Sequence, residues 1–334
     1  MTINDKIKRL EEYLKDKKCV LGFSAGSDST LLAFILSRVS PNSLLVTIDN
    51  HMMPKEFIAY TTKKAKEFNL KHEIIELDFI NDPEFISNNS KRCYNCRKLM
   101  YENIQKLPEF KDYDYFIEGT NLTDLLEDRP GVLILDKYNM ISPLIECKIT
   151  KEDVFNILDY FNLSYSSNTT CLSTRVKTNE YVSPEKLSLI DNAENIIREY
   201  VKQRNVRVRF DNYQATISVD SPEELMNSKL SQINERLLKL GFKKVLFDIT
   251  GYTKTKFEYE IEGNNYFYQL PYKINIDKTI EKINKSKGLE LKKQENNFKY
   301  NNIIIEDNGK ITMPINDNFY NKINEILPYI KREI

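Results

Sequence analysis

The sequence predicts an α/β protein with a parallel sheet covered by helices on both faces, followed by a small α+β domain and a further α+β segment. Over about the first 160 residues, short uninterrupted apolar runs alternate with helical patterns, as in a sheet buried on both faces. The next strands alternate apolar and polar residues, as half-buried strands do. From about residue 258 the chain is rich in Asn, Lys, Ile and Tyr, and it is too apolar for disorder.

The chain length of 334 residues suggests two or three domains. We expect a Rossmann-like parallel-sheet domain over residues 1–180 and a small α+β domain over residues 181–256. Residues 257–334, called the appended segment below, form the third part and have no assigned role.

The elements of the first domain follow from apolar spacing. A helix is predicted over residues 4–16, where Ile7, Leu10 and Leu14 share one face. Thr150 with Asp153 forms a capping box in front of a helix near its end. The predicted buried strands are 19–23 and 43–49, and further strands are predicted at 71–77 and 115–120. The other predicted helices are 30–38, 54–68 and 151–161.

The later elements are predicted in the same way. Ser183 and Pro184 begin a helix that reaches about Tyr200. The small domain is completed by strands at 206–210, 215–219 and 244–249 and a helix at 230–240. The strand-like runs of the appended segment are 257–261, 266–270 and 301–307.

Composition and charge exclude some classes of protein. The chain has 49 basic residues (Lys plus Arg) and 49 acidic residues (Asp plus Glu), so its formal net charge is zero. Binding to nucleic acid would therefore require a local basic patch. No apolar run approaches the ~18 residues of a membrane helix, so we expect no membrane partner. The N-terminal segment is charged and lacks the apolar stretch of a signal peptide, so we expect a cytoplasmic protein with reduced thiols.

The strongest motif is segment 24–29, which joins the first buried strand to a helix. Small residues let backbone amides approach an anion, and a helix N-terminus favours negative charge. Ser24 and Ser29 add hydroxyl donors, whereas Asp28 would repel phosphate unless Mg²⁺ lay between them. The segment lacks the Gly-Lys of a Walker A loop, and taken alone it also fits a serine-rich turn.

Polar residues also follow the fourth strand. Gly119, Thr120 and Asn121 stand at its carboxyl end, where open α/β sheets bind ligands. Segment 127–131 (EDRPG) by itself is typical of a polar turn, and segment 142–151 is typical of a loop before a capped helix.

Five cysteines, an odd number in a reducing compartment, argue against a disulfide framework. Cys93 and Cys96 form a CxxC pair, which can indicate zinc, a redox pair or an iron–sulfur cluster. Neither histidine has ligand spacing to a cysteine, so Cys171 is the natural third ligand. Three thiolates would leave one iron of a [4Fe–4S] cluster open to an extra sulfide. Cys19 is expected in the core, and Cys147 fits either packing or a place near the site.

A second candidate site lies in the small domain. Arg207 and Arg209 lie on one face of their strand, while Val206 and Val208 face the core. Two guanidinium groups on one face can bind a phosphate or carboxylate, or they can form a solvated strand face.

The nucleotide motif resembles a known superfamily. Segment 24–29 (SAGSDS) is similar to the SGGxDS signature of PP-loop pyrophosphatases, with Ala25 in place of a glycine. That resemblance implies cleavage of ATP between the α and β phosphates and adenylylation of a substrate oxygen. Alanine is small, but it disfavours a positive φ.

One branch of that superfamily matches further. GTN, DRPG, SPLIE, TK, RCYNCRKLMY, CLSTR, VRVR and LFDITGY resemble the LarE family of sulfur transferases, which mature a nickel-pincer nucleotide cofactor. The resemblance covers about residues 5–255. A LarE branch with three such cysteines binds a [4Fe–4S] cluster, whereas another branch sacrifices the sulfur of one cysteine. The resemblance therefore implies a cluster on Cys93, Cys96 and Cys171.

The resemblance also implies roles for particular residues. It assigns catalysis to Asp28, Arg97 and Cys171, and substrate binding to Arg207 and Arg209. The residues that would bind ATP and Mg²⁺ are Ser24, Gly26, Ser27, Asp28, Ser29, Asp49, Gly119, Thr120, Asn121, Asp128 and Arg129.

The expected function is ATP-dependent sulfur transfer. A substrate carboxylate or amide oxygen attacks the α-phosphate, pyrophosphate leaves, and sulfide from the cluster displaces AMP. We expect a small-molecule or nucleotide-like acceptor, a sulfide donor and a homo-oligomer. The family's ARIE strand reads ATIS here, and Thr216 and Ser218 in place of its charged pair indicate a changed acceptor.

Three alternatives fit the same motifs. Two are enzymatic, namely tRNA thiolation and natural-product thionation, and the third is a non-catalytic ATP or Fe–S sensor. Zero net charge argues against tRNA thiolation. Retention of both the nucleotide segment 24–29 and the three cysteines argues against the sensor. The ATIS strand and the appended segment would suit natural-product thionation. Release of pyrophosphate would separate an enzyme from a sensor.

Overall fold

A computed structural model describes residues 2–127, 132, 134–138, 140–167, 170–226, 229–251, 259–315 and 318–333. Three sheets follow one another along these residues, of four, three and five strands. The first sheet is parallel and helices cover it, so the predicted α/β class is confirmed.

The parallel sheet has the strand order β3-β2-β1-β4. Its strands are β1 (Cys19–Gly22), β2 (Leu44–Asp49), β3 (Lys71–Glu76) and β4 (Tyr115–Ile117). Val20 of β1 lies between Leu44 and Phe116, and all three side chains are buried. The strand order reverses direction between β1 and β4, so a crevice opens at the carboxyl ends of these two strands.

Helices cover both faces of this sheet. They are α1 (Ile3–Leu14), α2 (Ser27–Val39), α3 (Phe57–Glu67), α4 (Pro83–Ile86), α5 (Arg92–Ile104), α6 (Ile134–Lys137), α7 (Pro143–Glu146) and α8 (Lys151–Tyr160). Apolar residues of α1, α2 and α8 share one core, and those of α5 and α6 share the core on the other face. The capping box of Thr150 and Asp153 is confirmed, with an Asp153 amide to Thr150 Oγ1 distance of 3.2 Å.

The small domain packs helices on a three-stranded sheet. Its helices are α9 (Pro184–Arg198), α10 (Glu223–Met226) and α11 (Leu230–Leu240), and its strands are β5 (Val206–Asp211), β6 (Gln214–Val219) and β7 (Lys244–Phe247). β5 and β6 form a hairpin in which Asn212 and Tyr213 both have positive φ, and β7 runs parallel to β6. Val206 and Val208 are fully buried, as predicted.

The appended segment forms an antiparallel sheet with its own apolar core. Its strands are β8 (Glu260–Glu262), β9 (Asn265–Gln269), β10 (Asn297–Tyr300), β11 (Ile303–Glu306) and β12 (Lys310–Pro314), and its helices are α12 (Ile276–Lys287) and α13 (Phe319–Ile326). That core also contains Leu122, Leu126 and Ile145 of the first domain. No helix among the described residues is long and apolar enough to cross a membrane.

Candidate functional site

Segment 24–29 forms the bend between β1 and α2. Ala25 has a φ of 54°, in the left-handed region that costs a residue with a Cβ about 1–2 kcal/mol. Its side chain is fully buried, and its carbonyl accepts a 2.9 Å hydrogen bond from the Ser166 amide. The bend therefore keeps the positive φ that a glycine would favour, and packing holds the alanine there.

The start of α2 leaves backbone amides available to an anion. Gly26 is the N-cap residue and offers no side chain to the first amides of the helix. Ser24 Oγ lies 3.2 Å from Ser29 Oγ and accepts a 3.4 Å hydrogen bond from the Gly26 amide. The two serines thus fix the shape of the bend, while the helix N-terminus supplies donors and a positive dipole end.

Asp28 is the point at which three segments meet. Asn121 Nδ2 donates a 2.9 Å hydrogen bond to Asp28 Oδ1. Lys151 Nζ donates to Asp28 Oδ2 and to Ser27 Oγ, the latter at 2.8 Å. The Asp28 carboxylate is therefore paired with a lysine and an amide at the mouth of the crevice between the carboxyl ends of β1 and β4.

The segment after β4 packs closely on this bend. A Cβ on Gly119 would lie 3.0 Å from Asp28 Cβ and 3.3 Å from the Ser29 nitrogen, so only glycine fits without a shift. Asn121 is fully buried and caps the 3₁₀ turn Leu122–Leu126, since its Oδ1 accepts from the Thr123 and Asp124 amides.

A buried carboxylate organises the end of β4. Glu118 accepts hydrogen bonds from the Thr120 amide at 2.9 Å, from Thr120 Oγ1 at 2.5 Å and from Ser142 Oγ. Arg97 Nη1 lies 4.0 Å from Glu118 Oε2 and, among the described residues, has no hydrogen-bond partner. Burial opposes charge on Arg97, but Tyr101 and Glu118 outweigh it and hold the pKa of Arg97 above its usual range. The predicted catalytic arginine thus reaches the edge of the crevice with a free donor.

Of the other residues predicted to bind the nucleotide, Asp49 lies at the same carboxyl edge of the parallel sheet. Asp49 ends β2, and its Oδ1 accepts a 3.1 Å hydrogen bond from the His51 amide. The His51 imidazole lies 3.0 Å from Glu76, at the end of β3. Asp128 and Arg129 lie outside the described residues.

The cysteines of the CxxC pair lie on the first turns of α5. Cys93 is exposed, whereas Cys96 is partly buried against the core of the small domain. Asn50, the buried residue after β2, places Nδ2 4.0 Å from Cys96 Sγ. This thiol therefore lies at the carboxyl end of the parallel sheet, the edge that also holds segment 24–29.

Cys171 is brought to the same place by contacts of its own segment. It is the N-cap of a 3₁₀ turn, Leu172–Arg175, and the Leu172 amide donates a 2.7 Å hydrogen bond to the Met52 carbonyl. Arg92 donates a 3.0 Å hydrogen bond to the Ser173 carbonyl. Because Arg92 directly precedes Cys93, this bond ties the CxxC helix to the Cys171 segment.

Cys93 and Cys171 both act on the third thiol, Cys96. Burial raises the pKa of Cys96, and the charges of Cys171 and Cys93 raise it further. Cys171 Sγ lies 2.8 Å from Ser173 Oγ, and an Arg92 guanidinium nitrogen lies 3.4 Å from Cys93 Sγ. Within the described part of the chain, no three His, Cys, Asp or Glu side chains are grouped so as to hold a metal ion.

The two remaining cysteines belong to the core. Cys19 in β1 and Cys147 after α7 are buried in the apolar cluster under α1 and α2. Burial raises the pKa of each thiol to about 12. Cys147 thus packs in the core, which was one of its two predicted places.

The arginines of β5 are held in different ways. Arg207 is buried and donates a 2.9 Å hydrogen bond to the neighbouring Val206 carbonyl. Arg209 is exposed and donates a 2.9 Å hydrogen bond to Ser218 Oγ, which donates to Asp248 Oδ2 at 3.1 Å. Ser218, one of the residues that depart from the family pattern, therefore links a cation to an anion.

Sequence reasoning missed two residues of the site. Lys151 belongs to a Thr-Lys pair of the LarE pattern and to the start of α8, and the sequence pattern assigns its side chain no role in the site. Glu118 was interpreted as part of a buried strand, although a carboxylate at the end of an apolar run signals a required partner.

No protein-family model matches the chain. It is 34% identical over 244 residues to the uncharacterized protein MJ0830 of Methanocaldococcus jannaschii, covering 73% of this chain and 94% of that protein. It is 27% identical over 262 residues to the uncharacterized protein slr1717 of Synechocystis, covering 76% and 97%. It is also 26% identical over 135 residues to a GMP synthase (glutamine-hydrolyzing) of Prochlorococcus marinus, covering 37% and 25%.

These similarities agree with the fold. The distant likeness to GMP synthase, a PP-loop enzyme that uses ATP, is consistent with the PP-loop superfamily. The match to MJ0830 extends over nearly all of that protein, so the chain belongs to the family that contains MJ0830.

Proposed function

We propose that this protein is an ATP pyrophosphatase-type sulfur transferase of the LarE kind. The main support is the meeting of segment 24–29, Asn121 and Lys151 at Asp28. Asp28 lies beside the crevice between β1 and β4, where the strand order of the parallel sheet reverses and where open α/β folds bind nucleotides. The distant similarity to an ATP-using PP-loop enzyme supports the same assignment.

The chain offers suitable groups to the phosphates of ATP. The first amides of α2 bind phosphate oxygens, and Lys151 neutralises the charge that develops on the departing pyrophosphate. The carboxylate oxygens of Asp28 suit Mg²⁺. A bound Mg²⁺ would screen the negative charge of Asp28 from the phosphates. Asn121 and Lys151 hold Asp28 in place for that task.

The proposed reaction has two displacements. An acceptor oxygen attacks the α-phosphorus, the bond to the bridging oxygen breaks, and pyrophosphate leaves. A sulfur nucleophile then attacks the acceptor carbon, and AMP leaves with the original acceptor oxygen. Arg97, with a buried donor unused by the described residues, supports binding of an anionic group beside Cys96.

An iron–sulfur cluster is proposed on Cys93, Cys96 and Cys171. The negative charges of Cys93 and Cys171 act on Cys96. Within the described residues the three thiols are not grouped as a metal site, so binding of a cluster would have to draw them together. A [4Fe–4S] cluster held by them would supply sulfide on the iron that lacks a protein ligand. Cys93 remains exposed, so a sulfide donor has access from solvent.

The acceptor is proposed to be a small molecule or a nucleotide-like compound. The link from Arg209 through Ser218 to Asp248 occupies the strand face where the LarE pattern has a charged pair. The Thr250 hydroxyl, which bonds Asp248 at 2.6 Å, holds the pKa of Asp248 below its usual range. This face therefore presents a cation and an anion in a new arrangement, which supports a changed acceptor.

Labelled ATP tests the nucleotide part of the proposal. With [α-³²P]ATP and [γ-³²P]ATP, we expect AMP and pyrophosphate as products, and binding of α,β-methylene-ATP in the absence of any acceptor. Asp28→Asn and Lys151→Gln should each weaken analogue binding about 10- to 100-fold, since each removes a charged hydrogen bond. Asp159→Asn, on the exposed face of α8, is the matched control, and it should change neither the reaction products nor the binding of the analogue.

Three outcomes would overturn the proposal. ADP and phosphate as products would point to a different ATPase chemistry. Binding of the analogue that is unaffected by Asp28→Asn and Lys151→Gln would place the nucleotide elsewhere. Binding without any turnover, with every candidate acceptor and sulfide present, would favour the sensor instead.

A further inference from the structure

The turn Leu122–Leu126 lies between the nucleotide site and the appended segment. At its start, Asn121 reaches Asp28, and Thr123 Oγ1 accepts a 3.1 Å hydrogen bond from the Lys151 amide. The Leu122 amide is held by the Ile149 carbonyl at 3.0 Å. A shift of this turn would therefore move two residues that pair with Asp28.

The end of the same turn is bonded by the appended segment. Tyr272 Oη donates a 2.5 Å hydrogen bond to the Leu125 carbonyl, and Arg332 donates from its guanidinium to the Glu127 carbonyl. The Arg332 guanidinium carbon also lies 3.5 Å from the centre of the Tyr272 ring, a cation–π contact. The two side chains thus brace each other as well as the turn.

Apolar packing fixes the turn to the appended segment. Leu122 is 0% exposed and Leu126 is 3% exposed, and both belong to the core that contains Ile283 and Ile305 of the appended segment. The side of the turn away from Asp28 is therefore part of the core of the appended segment.

We infer that Tyr272 and Arg332 are positioning residues for the nucleotide site. They hold the turn so that Asn121 bonds Asp28, and neither of them touches the nucleotide. The contacts are independent of what the site binds, whereas their consequence for ATP rests on the proposed function. The appended segment then acts in the first domain's site and is not a separate module attached to it.

Variants that keep the apolar packing test this inference. Tyr272→Phe removes the hydroxyl, Arg332→Gln removes the charge, and Arg332→Lys is the conservative replacement. Asn284→Ala is the matched control, because the Asn284 side chain makes two hydrogen bonds within the appended segment: it donates to the Leu291 carbonyl and accepts from the Leu291 amide. Each protein is measured for thermal unfolding, hydrogen exchange of segment 121–127, and the Kd for α,β-methylene-ATP.

The expected pattern separates positioning from general stability. Tyr272→Phe and Arg332→Gln should speed exchange of the turn and raise the Kd about two- to tenfold each, the range for one lost hydrogen bond. Arg332→Lys should restore part of the loss. Asn284→Ala should lower the unfolding temperature without changing exchange of the turn or the Kd.

Different failures have different meanings. If Asn284→Ala changes the turn as much as the other variants do, Tyr272 and Arg332 merely stabilise the fold, and the inference is wrong. Unchanged exchange in a double Tyr272→Phe, Arg332→Gln variant would also overturn it. If wild-type protein binds no nucleotide, the proposed function fails, and the exchange data still decide whether the brace holds the turn.

Discussion

Asn121 and Asp28 are 93 residues apart in the sequence, and a 2.9 Å hydrogen bond joins Asn121 Nδ2 to Asp28 Oδ1. The donor belongs to a fully buried amide that also caps the next turn. Lys151 takes the other carboxylate oxygen. The fold therefore sets the position of Asp28 before any ligand arrives, which lowers the cost of orienting groups around a bound phosphate.

Asn121→Ala should weaken both the fold and the site. It removes a cap and takes away one hydrogen-bond donor from each of Asp28 and Asp124, so we expect a loss of about 1–3 kcal/mol in unfolding free energy. Denaturant unfolding and analogue binding measure the two effects. Asn318→Ala is the control, because Asn318 caps α13 without touching the crevice. Equal nucleotide affinity in the two variants would contradict a role for Asn121 in the site.

Ala25→Gly should be nearly neutral. Relief of about 1–2 kcal/mol of strain at positive φ offsets the lost methyl burial, about 0.8 kcal/mol, and the greater freedom of the unfolded chain. The control is Ala33→Gly in the buried part of α2, where no strain is relieved and a loss of about 1–2 kcal/mol is expected. Urea unfolding compares the two. A similar loss at both positions would show that Ala25 is unstrained.

The cluster proposal predicts iron on three particular cysteines. Anaerobic reconstitution should give about four irons and four sulfides per chain, with a [4Fe–4S] Mössbauer signature. Replacing Cys93, Cys96 or Cys171 by Ala should remove most of the iron, while Cys147→Ala should keep it. Iron bound equally by every variant, or dehydroalanine at position 171 after one turnover, would contradict the cluster mechanism.

The buried thiols predict a loss of stability at alkaline pH. Burial raises the pKa of Cys19 and of Cys147 to about 12, whereas the thiol of an unfolded chain ionises near ~8.5. Above pH ~8.5 the unfolded state releases these protons and the folded state keeps them, so the unfolding free energy falls as pH rises. The fall between pH 8 and 10 should be about 1–2 kcal/mol for each thiol.

A double Cys19→Ala, Cys147→Ala variant checks this by urea unfolding at the two pH values. It should be less stable than wild type at pH 8 but should lose less stability on going to pH 10. Val20→Ala in β1 is the control, because that buried side chain does not titrate, so the variant should lose stability and keep the wild-type pH dependence. A double variant with the wild-type pH dependence would show that other groups cause the loss.

Much of the fold was predictable because burial on both faces leaves a strong pattern. Strands β1 and β2 appear where uninterrupted apolar runs predicted them, and β3 and β4 lie within the other two predicted strands. β3 is largely exposed at the edge of the sheet. The helix after β1 begins at Ser27, earlier than the predicted residue 30, because the polar residues of the bend also form its first turn. Helix α12 was not predicted, since its lysine-rich pattern is masked by the strand-like runs around it.

The site was only partly predictable for a physical reason. Local spacing identified segment 24–29 and the CxxC pair, since their chemistry depends on near neighbours. It gave no sign that Lys151 would pair with Asp28, 123 residues away. Nor did it show that Tyr272 would bond the Leu125 carbonyl, 147 residues earlier. Such pairs are set by which segments the fold brings together, and a linear pattern does not contain that information.

The bond from Arg332 to the Glu127 carbonyl spans 205 residues. At a synthesis rate of about 5–20 residues per second, the first domain waits roughly 10–40 s for its brace. During that interval Leu122, Leu126 and Ile145 have no partner from the appended segment, so the nascent chain shows an apolar patch beside its unfinished site. A nascent chain of this length therefore exposes apolar surface, which makes folding intermediates prone to aggregation. The Glu127 carbonyl gains its bond from Arg332 only at the end of synthesis.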